Sequence, residues 1–277
     1  MFDALMLQRL WLVPVGFVIG TYGTFIGAGG GFVLVPMLLL FYPEEAPEVI
    51  TSISLAVVFF NALSGSYAYA RLKRVDYRSG LVFGAATLPG AILGALTTSV
   101  IPRPLFDALL GVLMIVASAF LIFHTHKKNR ENKSNIQNCL TRNLLEADGT
   151  AHTFSYSPKV GIGLSLVVGY LSSLLGIGGG IIHVPALVHL LNFPVHIATA
   201  TSQFMLTIMS LAGTVVHIAT GTFHHGFRRT IALSIGVLLG AQLGAFLSRR
   251  MGGVWIIRGL AVALGIVGIR ILILALV

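Results

Sequence analysis

The sequence predicts an all-α polytopic membrane protein, and three observations predict it. Apolar stretches long enough to cross hydrocarbon recur from Trp11 to Val277. Hydrophobic residues make up 56% of the chain and charged residues only 10%. A soluble domain carries about 25% charged residues, so this chain has too little polar surface to face water all round. The short alternating segments of a membrane β-barrel are not evident.

Windows of about 20 residues give about eight membrane segments. The first, roughly 10–42, is apolar on both sides of the stretch TFIGAGGGFVLVP, Thr24 to Pro36. The second, roughly 49–70, opens with Thr51, Ser52 and Ser54 and carries Asn61 deeper in. The third, roughly 79–100, contains GAILGA from Gly90 to Ala95, and the fourth is roughly 105–123. From His124 to Lys159 the chain turns polar, with Asn, Ser, Thr and mixed charge, and reads as a flexible linker. The fifth segment, roughly 160–192, holds Gly176–Gly180, and the sixth, roughly 195–221, opens with Thr199, Thr201, Ser202 and Gln203. The seventh, roughly 230–248, contains GAQLGA from Gly240 to Ala245, and the eighth is roughly 254–277.

These segments form two homologous halves, 1–123 and 160–277, joined by the linker 124–159. Gly169–Leu187 repeats Gly20–Leu38 at an offset of 149, with eight of 19 positions identical. GAQLGA repeats GAILGA at an offset of 150. Two matches at nearly one offset exclude coincidence. Four spans per half would make the halves parallel. If each glycine segment were a hairpin turn, each half would have five and the halves would be inverted. The preferred reading is four, because Phe32–Tyr42 is about 11 residues, roughly 16 Å of helix, too short to cross.

The glycines call for a physical reason. Each costs about 1 kcal/mol in a helix interior relative to alanine, so three in a row predict a break in the first helix of each half. Irregular backbone at membrane depth must be buried in protein or line a cavity. Gly27, Gly29, Gly30 and Gly31, and Gly176, Gly178, Gly179 and Gly180, are therefore expected as interruptions inside the bundle. Each precedes a short helix whose first N–H groups and positive dipole end suit a small anion. For Gly90, Gly94, Gly240 and Gly244, with GxxxG spacing, close helix packing is the better reading. A soluble nucleotide loop is excluded, since no Gly-Lys-Ser/Thr follows.

Other residues join the candidate site by chemistry. Ser54, Thr201, Ser202 and Gln203 offer hydroxyl or amide donors without adding charge, though such residues also cap helices or bond backbone one turn back. Asn61 suits an interhelical bond or a ligand contact. Gln242, which replaces Ile92 in the second GAxLGA copy, could face a pathway. His183, three residues past the glycines, could carry a coupling proton, against the blander reading of a histidine bonded within the bundle. The acids other than Asp107 lie in loops or at the N-terminus, so the core is unfavourable for cations. Arg258 and Arg270 are the strong bases within segments, placed to snorkel.

The net charge of +9 does not imply a nucleic acid here, because the basic residues sit in loops, where they set topology. Arg71, Lys73, Arg74 and Arg78 form one cluster. Lys127, Lys128, Arg130, Lys133, Arg142 and Lys159 lie in the linker, and Arg228 and Arg229 in a third loop. With eight spans these fall on one side with Arg9, which places both termini in the cytoplasm and Glu44, Glu45 and Glu48 outside. No cleavable leader is expected, because the first apolar run belongs to the repeat. The single cysteine, Cys139, excludes an intrachain disulfide, and no metal, cofactor or ATP-binding motif is present.

The paired G-x-G-G-G-(x)4-P segments, Gly27–Pro36 and Gly176–Pro185, each followed by a Ser/Thr-bearing helix, resemble the sulfite exporter TauE/SafE family of bacterial membrane proteins. The resemblance covers essentially all of the chain except the linker. It implies an inner-membrane transporter of sulfite, sulfonates or related small sulfur anions, working in the lipid bilayer. The residues add to this an alternating-access carrier rather than an enzyme, with a channel or a membrane subunit of a larger complex as the alternative. Assembly with further copies of the chain is compatible with the sequence.

Overall fold

A computed structural model describes residues 11–124, 139–248 and 253–276. Arg9, Lys127, Lys128, Arg130, Lys133, Arg249 and Arg250 lie outside the described residues. The all-α polytopic class holds. Among the described residues ten α-helices form, as eight segments with the first of each half broken would give. In the first half they are α1 (Leu12–Ile26), α2 (Gly31–Phe41), α3 (Pro47–Arg71), α4 (Tyr77–Thr97) and α5 (Arg103–His124). In the second they are α6 (Pro158–Leu175), α7 (Gly180–His189), α8 (Val195–Ala219), α9 (Phe227–Ser248) and α10 (Gly253–Leu276). Between the halves stands an antiparallel hairpin, β1 (Leu140–Leu145) and β2 (Ala151–Tyr156).

The chain breaks where the glycines predict, but it reverses there instead of continuing. The rings of Trp11 and Phe41 lie 5.2 Å apart, and those of Tyr22 and Phe32 6.1 Å. A helix running straight through the break would separate Trp11 from Phe41 by about 45 Å. In the second half Leu187, Leu191 and Phe193, at and beyond the end of α7, pack with Phe154 and Tyr156 just before α6. Each glycine segment is thus the tip of a re-entrant hairpin. The shortness of Phe32–Tyr42, which argued against a crossing, fits a helix that enters and returns.

The chain reverses at each glycine segment, three further helices follow in each half, and the two halves run in opposite directions. Helices α3 and α8 run antiparallel, with Leu55 beside Gly213 and Gly65 beside Gln203. Glu45, after α2, receives an ion pair from Arg229 of α9 at 2.6 Å, and the Arg229 guanidinium lies 3.9 Å over the Tyr42 ring. That places the loop with Arg228 and Arg229 beside the acidic loop, not beside Arg74 as the eight-segment reading required. The start of α1 and the end of α10 accordingly lie on the face opposite the β-hairpin. The added turn in each half reverses every later element.

The halves are interlaced. Helix α1 lies along α9, and α6 lies along α4. The GxxxG glycines make these contacts: Gly94 faces the backbone of Tyr170 and Leu174, and Gly244 that of Thr21 and Phe25. With no Cβ, the two backbones approach closely, as the spacing predicted. Helices α3 and α8 cross at the centre, α2 and α7 tuck against them, and α5 pairs with α10.

The linker is not all irregular. Asp148 and Gly149 occupy the turn between β1 and β2, with Gly149 at φ +88°. The Thr150 N–H donates to Asp148, which holds that carboxyl below the usual range. The hairpin docks on the loop after α3: Arg74 pairs with Glu146 at 2.6 Å, Arg142 lies 3.6 Å from Asp76, and the Ala147 N–H donates to the Leu72 carbonyl. Ser79 bonds both Asp76 and Tyr156.

Candidate functional site

The two turns meet at the middle of the bundle. A Cβ placed on Gly29 or on Gly178 would point at Val58, and the one on Gly29 also at Leu206. Val58 and Leu206 are each the twelfth residue of a 25-residue helix, so the meeting point lies half-way along both central spans. All eight candidate glycines are buried.

Geometry explains why glycine recurs here. Gly27 and Gly176 end α1 and α6 in the left-handed region, at φ +85° and +67°. A side chain there would be strained and would press on Thr199 or Thr51. Gly31 and Gly180 open α2 and α7 where the turns touch backbone to backbone. A Cβ on Gly31 would lie 2.6 Å from the Ile177 carbonyl oxygen, and one on Gly180 would lie 2.5 Å from Ala28 Cα.

Around this contact the hydroxyls lock the turns. Ser54 donates to the Gly176 carbonyl at 2.6 Å, and Ser202 donates to the Gly27 carbonyl at 3.0 Å. Each half thereby clamps the turn of the other. Their single protons are engaged, so Ser54 and Ser202 act as turn clamps rather than free anion donors. Thr201 stands apart from the turns, at the hairpin face, where its hydroxyl accepts from the Asp76 N–H at 3.1 Å.

The amides flank the first turn. Gln203 Nε2 donates to the Gly23 carbonyl at 3.2 Å, and Thr24 donates to Asn61 Oδ1 at 3.1 Å. Asn61 Nδ2 and Gln203 Oε1 are buried without a partner among the described residues. His183 lies on α7, 1% exposed, and among the described residues neither ring nitrogen has a hydrogen-bond partner. Gln242 bonds Ser64 and joins α9 to α3. Arg258 and Arg270 are exposed on α10. A lateral cavity of about 690 Å³, lined by Pro36, Arg103, Asp107 and Arg270 among others, opens away from the turns.

The backbone completes the site. Among the described residues, the N–H groups of Gly30, Gly31 and Phe32, and of Gly178, Gly179 and Ile181, have no backbone acceptor. These are the free donors that a helix start leaves, here in two inverted copies at the centre of a membrane bundle. Ser172 and Ser173, just before the second turn, are buried and have no side-chain hydrogen-bond partner among the described residues. Sequence reasoning passed over both. The available signal was their position opposite Gly23 and Thr24 in the repeat. Among the described residues no cluster of His, Cys, Asp and Glu could hold a metal.

The chain is similar over nearly its whole length to known membrane proteins. The pattern described as "Sulfite exporter TauE/SafE" matches residues 12–271. The chain is 35% identical to the probable membrane transporter protein YunE of Bacillus subtilis, over 94% of this chain and 96% of that protein. It is 24% identical to the probable membrane transporter protein MJ0441 of Methanocaldococcus jannaschii, over 98% and 97%. It is 25% identical to the probable membrane transporter protein MamO of Paramagnetospirillum magneticum, over 87% of this chain but 40% of that protein. No solved structure matches the chain. With two glycine-tipped re-entrant hairpins in a repeated helical bundle, and this match over nearly its whole length, the chain belongs to the sulfite exporter TauE/SafE family.

Proposed function

We propose that the protein is a secondary transporter of a small anion, with sulfite or a small sulfonate as its cargo. The observation that carries this reading is the pair of inverted glycine turns, buried at mid-depth, whose helix starts leave six backbone N–H groups without backbone acceptors. Such donors favour negative charge without placing a fixed cation in the path. The family name supports a sulfur oxyanion, and the names of the relatives support transport.

Inverted repeats supply a route to alternating access. Two halves of like sequence and opposite direction can exchange their conformations, which exchanges the open face. Because α1 lies on α9 and α6 on α4, the moving bodies combine helices from both halves. In the present arrangement the turns touch, so passage requires α2 and α7 to part. The sequence has no ATP-binding motif, so a gradient or a separate partner drives the step.

The protein acts in the bacterial inner membrane. The β-hairpin face, with Arg71, Lys73, Arg74, Arg78, Arg142 and Lys159, is cytoplasmic, because basic loops stay inside. The face with Glu44, Glu45 and Glu48 is external.

Reconstitution tests the function. Liposomes containing only this protein should take up labelled sulfite or methanesulfonate saturably and faster than sulfate-free controls without protein, with a rate that responds to an imposed pH or anion gradient. Gly179→Leu should abolish uptake while membrane insertion persists. Non-saturating flux would favour a channel, and absent flux would overturn the reading.

A further inference from the structure

The repeat predicts two equivalent anion seats, but the two turns are chemically unequal. At the repeat offset of 149, Ser172 stands opposite Gly23, Ser173 opposite Thr24, and His183 opposite Leu34. The crossing helices differ too: counting from the clamps Ser54 and Ser202, Met209 stands opposite Asn61.

Around the first turn most polar side chains have a partner, though among the described residues Asn61 Nδ2 and Gln203 Oε1 have none. Thr24 donates to Asn61, Gln203 donates to the Gly23 carbonyl, and Tyr69 donates to the Thr24 carbonyl at 2.8 Å. The second turn differs. Ser172 and Ser173 are 0% exposed and His183 is 1% exposed, and none of their four side-chain polar atoms has a hydrogen-bond partner among the described residues. A buried polar atom left unpaired costs about 1–3 kcal/mol, so such groups are retained where something bonds them.

These groups converge. A Cβ placed on Gly179 would lie 3.0 Å from His183 Nδ1, 3.2 Å from Ser172 Oγ and 3.3 Å from Met209 Sδ. Gly179 caps the start of α7, a ten-residue helix whose first N–H groups are free of intrahelical acceptors. A hydroxyl and an imidazole thus face one point at a helix start, with a thioether as its apolar wall. Among these groups there is no carboxylate to repel an anion.

We infer that the anion seat is one-sided: it is formed by Ser172, His183 and the α7 amides around Gly179, and it takes a small oxyanion such as sulfite through hydrogen bonds to its oxygens. Met209 bounds the seat. The first turn, with Asn61 and Gln203, is the structural counterpart that the second turn moves against. This rests on the transport reading above and names which of the two turns holds the cargo.

Equilibrium binding of labelled sulfite to the purified full chain in detergent tests it. Ser172→Gly and His183→Leu give the second turn the residues of the first. Each should weaken binding by about tenfold or more, the loss of one hydrogen bond to a charged group. His183→Gln, which keeps a donor, should retain binding within about threefold. Asn61→Met, the matching exchange in the first half, should leave binding within about twofold of the parent. Thermal unfolding of each variant separates lost binding from lost fold. If a folded His183→Leu or Ser172→Gly binds like the parent, or if Asn61→Met loses as much, the one-sided seat is wrong while transport stands. A parent chain that binds neither sulfite nor methanesulfonate would sink both.

Discussion

Ser54 and Ser202 show how a residue chosen for one chemistry serves another. Both were candidates as anion donors, and both instead donate to the carbonyl of the opposite half's turn. Alanine at either position leaves a buried carbonyl without its donor. Ser54→Ala and Ser202→Ala should each lower stability by about 1 kcal/mol, measured by denaturant unfolding in detergent, with similar losses because the bonds are repeat-related. Gly31 and Gly180 act by absence of a side chain. Gly31→Ala would place a methyl 2.6 Å from the Ile177 carbonyl oxygen. It should reduce flux far more than it reduces helix content, measured by paired transport and circular dichroism, since alanine otherwise favours helix. These sites were legible as glycines in the sequence. Which atoms they make room for was not, because those atoms lie nearly 150 positions away.

At the scale of elements, the β-hairpin and the re-entrant helices were the least legible. The hairpin carries a visible signal, Asp148-Gly149 between Leu140–Leu145 and Ala151–Tyr156. Half of its strand residues are polar and the stretch around them is more so, so composition suggested a loop. Docking orders it: Phe154 and Tyr156 enter a cluster with Phe83 and Phe193, and Arg74 and Glu146 pair while nearly buried. Removing one member of a buried pair leaves an uncompensated charge, which costs about 3–5 kcal/mol. Arg74→Ala should therefore release the hairpin, seen as faster proteolytic cleavage within 145–150 while the helical core resists. Equal cleavage in variant and parent would show that the pair does not hold it.

At the scale of the whole molecule, the count of crossings decides everything downstream. Inversion puts Glu45 and His224 on one face and Cys139 on the other. Cys139 is the only cysteine, so Cys139→Ser gives a clean background. In that background, Glu45→Cys and His224→Cys should react with an impermeant maleimide from the same side of the membrane. Cys139 in the parent should react from the other. Reaction of His224→Cys together with Cys139 would restore the parallel, eight-span arrangement.

The sequence by itself determined that the chain is a helical membrane protein, that it is doubled, and that its helices break at two glycine segments. Those properties follow from composition, periodicity and the local cost of glycine, all of which act within a few turns of chain. Only the tertiary structure decided that each break is a reversal, that the halves are inverted and interlaced, and that Ser172 and His183 meet beside Gly179 at the second turn. A glycine run permits a bend, a break or a hairpin at similar local cost. The choice is made by what packs against it, here Phe41 returning to Trp11 and the two turns meeting between Val58 and Leu206.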